Sequence, residues 1–163
     1  MIPKTRARTR GANKSGVVRL DGTGVRYTLR DRGSVVISLD EVGVIGEYTT
    51  ENGPLVDDWF LVLVCKEGTG WFEISMYAEG IPELFRQLSA ALGAIIEMGL
   101  ANKTDFSSHI IWPPSIAGRP LFHFTPVAAR SVFHWLKLAI IPEIRRRLTP
   151  DALAVMPGRE GSR

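Results

Sequence analysis

The chain carries one cysteine in 163 residues, Cys65. A single thiol excludes an intramolecular disulfide framework, and its place inside an apolar, strand-like run reads as a buried structural thiol rather than a reactive one. Histidine is almost as scarce. His109, His123 and His134 share no metal-ligand spacing with one another or with Cys65, so no metal centre and no cofactor are expected. The chain also lacks a nucleophile elbow, a phosphate loop and a dinucleotide fingerprint; Gly22-Thr23-Gly24 and Gly68-Thr69-Gly70 are short hairpin turns. No apolar run reaches the roughly 20 residues that a bilayer-spanning helix needs. Nor does the basic stretch Met1 to Lys14 lead into the apolar segment of a secretory signal, which places the protein in a cytoplasm.

What is present is enough apolar sequence, 45%, for one domain with a real core. The net charge of +3 hides a strong segregation. Residues 1–39 hold nine Lys/Arg against two Asp/Glu (+7), residues 40–100 two against eleven (−9), and residues 101–163 nine against four (+5). A nucleic-acid reader concentrates basic charge on its folded surface, whereas here the hairpin-rich middle is acidic, so nucleic acid is a poor partner for the folded face.

Residues 1–15 contain almost nothing to bury and read as a flexible basic arm. From Gly16 onward, β-rich runs recur at short intervals: Val17 to Leu20, Val25 to Leu29, Val35 to Leu39, Val42 to Thr50, Trp59 to Lys66 and Trp71 to Tyr77. Gly, Asp, Asn and Pro punctuate them, and no link is long enough for a crossover helix, so the strands should be antiparallel. The period then changes. Leu84, Phe85, Leu88, Ala91, Leu92, Ile95 and Ile96 form one apolar helical face, with Pro82 in the first turn, predicting a helix over 82–98 that packs on the sheet. Ser107 to Trp112 reads as a further strand, stopped by Pro113-Pro114.

The remainder divides into a Pro-rich connector over 113–125, a helical extension over 126–156 and a disordered tail over 157–163. Thr125-Pro126 supplies a cap and a first-turn proline for a helix running from Ala128 to Ile141, restarted after Pro142 through the triplet Arg145-Arg146-Arg147. Thr149-Pro150 repeats the cap signal before a short piece reaching Met156. The broad apolar face of the long helix, with Phe133 and Trp135, must close the sheet, pair with a second copy in a homodimer, or lie on a membrane. The expected fold class is therefore α+β: an antiparallel six- to seven-stranded meander or split barrel with a packed helix and an added C-terminal helix.

Asp40-Glu41-Val42 entering a strand, followed by Thr49-Thr50-x-x-Gly53-Pro54-x-x-Asp57-Asp58-x-Phe60-x-Val62-Leu63, a helix after Gly80 and a closing aromatic at Trp112, resembles a group of small uncharacterised bacterial proteins. In outline, six or seven antiparallel strands followed by a helix are also similar to a pleckstrin-homology-like split barrel. Neither resemblance transfers a functional residue. Some bacterial proteins of similar build serve as immunity partners of toxins, and that is what the resemblance implies here.

Three functional expectations follow. The first is a non-enzymatic protein-binding module, an immunity protein in its most concrete form, whose acidic hairpin surface (Glu47, Glu51, Asp57, Asp58, Glu73, with Trp59 and Trp71 as anchors) meets a basic protein partner such as a toxin. The second is a peripheral membrane or lipid-headgroup protein using the basic arm together with Phe133, Trp135, Arg145, Arg146 and Arg147. The third is a hydrolase or metal enzyme built on Asp57, Asp58 and Glu73. Adjacent strand residues point to opposite faces, so Asp57 and Asp58 do not form a catalytic pair by themselves.

Overall fold

A computed structural model describes residues 14–51, 56–67, 70–127 and 144–156. The basic arm up to residue 13, the hairpin tip containing Gly53-Pro54, the helix expected over 128–141 with Phe133 and Trp135, and the tail from 157 lie outside the described residues.

The fold is α+β, with every strand pairing antiparallel. β1 (Val17–Asp21), β2 (Gly24–Leu29) and β3 (Gly33–Ser38) form one meander in the order β1-β2-β3. A 3-10 turn, Leu39–Glu41, then carries the chain into a second sheet of order β6-β5-β4-β7. Its strands are β4 (Val42–Thr49), β5 (Trp59–Cys65), β6 (Trp71–Ser75) and β7 (Ser108–Trp112). The expected single meander is therefore two sheets, because β3 and β4 are not hydrogen-bonded neighbours and β7 returns to the free edge of β4. No closed barrel forms among the described residues.

The four-stranded sheet is buried on both faces. Leu61 and Leu63 of β5, with Ile45 and Ile74, pack into a core shared with Val18, Val25 and Ile37 of the first sheet and with the helix. Val62 and Val64, one residue out of phase, pack into a second core with Leu121, Phe122, Ala152 and Met156. Strands covered on both faces read as continuous apolar runs, and Trp59 to Cys65 is such a run.

α1 (Ile81–Leu92) buries Ile81, Leu84, Phe85 and Leu88, the stripe its 3.6-residue spacing demands. It is shorter than the expected 82–98. Gly93 adopts φ +60° and caps the helix through its N–H to Ser89 O, so the chain turns away and leaves Ile95 79% exposed. At the other end Gly80 sits at φ +98°, and a Cβ there would lie 2.1 Å from the Val18 carbonyl oxygen. Only glycine lets β1 and the helix start approach this closely.

The C-terminal third departs most from expectation. Residues 113–125 are not a plain connector: Pro114–Ile116 is a 3-10 turn, and Phe122–Pro126 is a strand, β8. Ile144–Leu148 is a strand too, β9, paired with β8 in the register Phe122↔Leu148 and Phe124↔Arg146. The arginine triplet thus lies on a strand and not on the helix assigned to it, and Thr125-Pro126 closes β8. Ile144, Arg146 and Leu148 alternate toward the protein, a period of two that three consecutive arginines obscure. The second cap signal holds. Thr149 Oγ1 accepts the Ala152 N–H at 3.3 Å and Pro150 opens α2 (Pro150–Ala154). No helix among the described residues is long and apolar enough to cross a membrane.

Candidate functional site

The alternation of β4 sends Glu47 to one face of the central sheet and Tyr48 to the other. Glu47 is wholly buried. Its Oε2 accepts the Trp59 indole N–H at 2.6 Å; its Oε1 accepts the backbone N–H groups of Gly99 and Leu100, the latter at 3.1 Å, and lies 3.3 Å from His109 Nδ1. Both oxygens are thus occupied from within. A buried carboxylate without such partners would cost several kcal/mol. Gly99 is part of the arrangement, since a Cβ there would stand 2.5 Å from His109 Cε1.

On the opposite face Glu73 of β6 gathers a second set of donors. Tyr48 Oη–H donates to its Oε2 at 2.9 Å, while Trp71 Nε1–H and Arg146 Nη1–H donate to Oε1 at 2.8 and 2.6 Å. The Arg146 guanidinium also lies 4.6 Å from the centroid of the Tyr48 ring. Burial, and then the neighbouring Glu73 charge, push the Tyr48 phenol well above its usual range. β9 thereby docks onto β6 through charge and stacking.

The remaining acids collect at the end of the sheet where β4 leads to β5. Thr49 N–H and Thr50 N–H donate to Ser107 O and Asp58 O, each at 2.8 Å, which brings residues 105–108 beside the hairpin. Asp57 Oδ1 accepts the Ser15 hydroxyl at 2.9 Å, and Asp58 Oδ1 accepts the Tyr77 phenol at 2.6 Å. That hydrogen bond, with lesser help from burial and the Asp57 and Asp58 charges, pushes the Tyr77 pKa up to about 12. Glu51, Val56 and Asp105 are exposed, as is Tyr77 beside Asp58. Among the described residues none of Glu51, Asp57, Asp58 and Asp105 is ion-paired. A cavity of about 200 Å³ opens at the same end, walled by Tyr48, Phe60 and Phe106, with Thr50 and Asp57 on one side and Ile144 and Arg146 on another.

Of the seven residues assigned to one acidic face, only the carboxylates of Glu51, Asp57 and Asp58 stay at this end of the sheet, the last two bonded to Ser15 and Tyr77. Glu47 is a core residue, not a surface one, and Trp59 is its half-buried donor. Glu73 and the half-buried Trp71 bond to each other on the far side of the sheet. The three carboxylates weighed for catalysis, Asp57, Asp58 and Glu73, go to three different partners. Among the described residues no group of three or more His, Cys, Asp or Glu side chains is arranged to hold a metal ion. Arg145 and Arg147 point outward beside His123, while Arg146 turns inward. The Cys65 thiol is partly buried, and burial, followed by the Glu41 charge, raises its pKa. Sequence reasoning missed the Glu73–Arg146 link, whose partners lie 73 residues apart, and the service of Gly99 and Leu100 to Glu47. The one signal was an acid set in the strand Val42–Thr49 among Val, Ile and Gly. Compared with protein-family models, curated proteins and solved structures, the chain finds no match in any of the three.

Proposed function

We propose that this chain is a non-enzymatic, cytoplasmic protein-binding module whose acidic sheet end receives a basic protein partner, with neutralisation of a toxin as its most concrete form. The observation that carries this reading is the set Glu51, Asp57, Asp58 and Asp105, unpaired with any cation among the described residues and flanked by Tyr77 and Val56, which are 49% and 64% exposed. Same-sign charge around an exposed aromatic steers a basic partner and then anchors it. Glu47 and Glu73 serve this surface indirectly, by holding β4 and β6 in place. A pleckstrin-homology-like split barrel is our architectural reading of the same chain, supported by six antiparallel strands followed by a helix.

Capture from a lysate of the native host tests the function. The immobilised full-length chain should retain a basic protein in a salt-sensitive manner, and Glu51→Lys with Asp57→Lys should release it without moving the urea midpoint. Recovery of no basic protein, or retention indifferent to the charge reversal, ends this reading. A lipid-headgroup role is second, supported by the exposed Arg145 and Arg147 beside His123. Salt-sensitive sedimentation with anionic vesicles, lost in the Arg145→Glu, Arg147→Glu variant, would favour it.

A further inference from the structure

Among the described residues the outer edge of β3 is bare, as edges of soluble sheets seldom are. β3 ends the order β1-β2-β3, and among the described residues no strand pairs with it on that side. β1, at the other end, is covered: Val18 N–H donates to Glu79 O at 2.8 Å and Glu79 N–H to Gly16 O at 2.9 Å. Edges are ordinarily blunted by lysine, proline, a bulge or a covering loop. The sequence of β3, Gly-Ser-Val-Val-Ile-Ser, holds no charge and no proline, and its register with β2 is unbroken. Residues 33–36 are all exposed, Val35 by 44% and Val36 by 51%.

The backbone parity of this edge can be read. Leu39 N–H donates to Thr23 O at 2.8 Å, and hydrogen-bonded pairs recur at every second residue of an antiparallel ladder. Ile37 and Val35 therefore bond toward β2, whereas Ser34, Val36 and Ser38 turn their N–H and C=O groups outward. We propose that this edge joins a second copy of the chain, antiparallel about a two-fold axis through Val36, fusing two three-stranded sheets into one of six.

Three features favour a copy of itself over a foreign strand. The two-fold pairs Val36 with Val36 and Ser34 with Ser38, so every outward-facing residue meets another of the same parity and the ladder closes on both sides. Val36 lies on the outer sheet face, where two copies cover each other's exposed valine. The charges also match. The exposed turn Arg30-Asp31-Arg32, net +1, precedes β3 and the exposed Asp40 and Glu41 follow it, and the two-fold that pairs Ser34 with Ser38 sets Arg32 of each copy beside Asp40 of the other, twice by symmetry. This surface is separate from the acidic sheet end.

Sedimentation velocity of the full-length chain across a concentration series tests the proposal. A dimer is expected, and Val36→Lys, which places two like charges against each other on the axis, should weaken self-association by about tenfold or more while keeping the monomer's urea midpoint. Arg32→Glu should weaken it as well, and adding Asp40→Arg should restore it, because each copy then presents the swapped charges to its partner. The charge pair keeps the test decisive should Val36→Lys fail to fold. A wild-type chain that stays monomeric throughout the series, a dimer indifferent to both Val36→Lys and Arg32→Glu, or an Arg32→Glu loss that Asp40→Arg does not restore would overturn the proposal.

Discussion

The two faces of the central sheet each hold a glutamate, and they hold it differently. Glu47 is sealed: its donors are an indole and two backbone N–H groups, with the His109 imidazole 3.3 Å away, all on one side of the sheet. Glu73 and Arg146 are each 29% exposed by side chain, and their bond fastens β9 to a strand far earlier in the chain. One carboxylate organises the core around itself; the other acts as a clasp between segments. The same residue type on two strands of one sheet differs because burial sets the dielectric and hence the cost of losing a partner.

The largest expected effect of breaking this contrast is at Glu47. Glu47→Leu leaves the buried Leu100 N–H and the half-buried Trp59 indole N–H unpaired, removes the acceptor of Gly99 N–H, and should cost about 3–5 kcal/mol in urea unfolding. Glu47→Gln, which keeps one acceptor, should cost clearly less. Equal costs for the two variants would show that shape and not hydrogen bonding matters there.

At the clasp the effect is smaller. Arg146→Ala should cost about 1–2 kcal/mol and speed amide exchange in β8 and β9 while leaving β5 protected. Arg146→Lys should recover little, since an ammonium cannot both bond Glu73 and lie flat over Tyr48. A double-mutant cycle with Glu73→Gln that shows no coupling would remove the clasp from this account.

The smallest effect distinguishes the two faces by alkaline titration. Trp59 and Tyr77 pack edge to face on the Glu47 side, and Tyr48 meets Glu73 on the other. Both phenols have raised pKa values, so the folded state holds their protons more tightly than the unfolded chain. Their contribution is fully present below about pH 10 and declines as pH climbs through the folded-state values. Ultraviolet titration should resolve Tyr77 before Tyr48, and Asp58→Asn should bring its pKa down from about 12 because the hydrogen bond to Asp58 is the leading cause. For a side chain 49% exposed the change in stability will be slight. A Tyr77 titration unmoved by Asp58→Asn would contradict the observed pairing.

Much of the first 112 residues was legible. Turn residues fall at the breaks between runs of β-branched and aromatic side chains, so β1 to β7 lie within a residue or two of the expected spans. Thr149-Pro150 marked α2 for the same local reason. The misplacements share another cause. Glu47 and Glu73 were read as surface acids because a hairpin usually shows one polar face, and here both faces are covered. Arg146 was placed on a helix since Ile-Arg-Arg-Arg-Leu suits either period, and only β8 as a neighbour makes it a strand.

By itself the sequence determined where strands and helices can start and stop, for these depend on Gly80, Gly93, Pro82 and Thr149 and on local propensity. It determined equally that charge would be segregated along the chain. Only the tertiary structure decided which carboxylates face water. That outcome depends on segments as distant as residues 47 and 99, or 73 and 146, meeting across a sheet, and no local preference encodes the desolvation and pairing that such meetings impose.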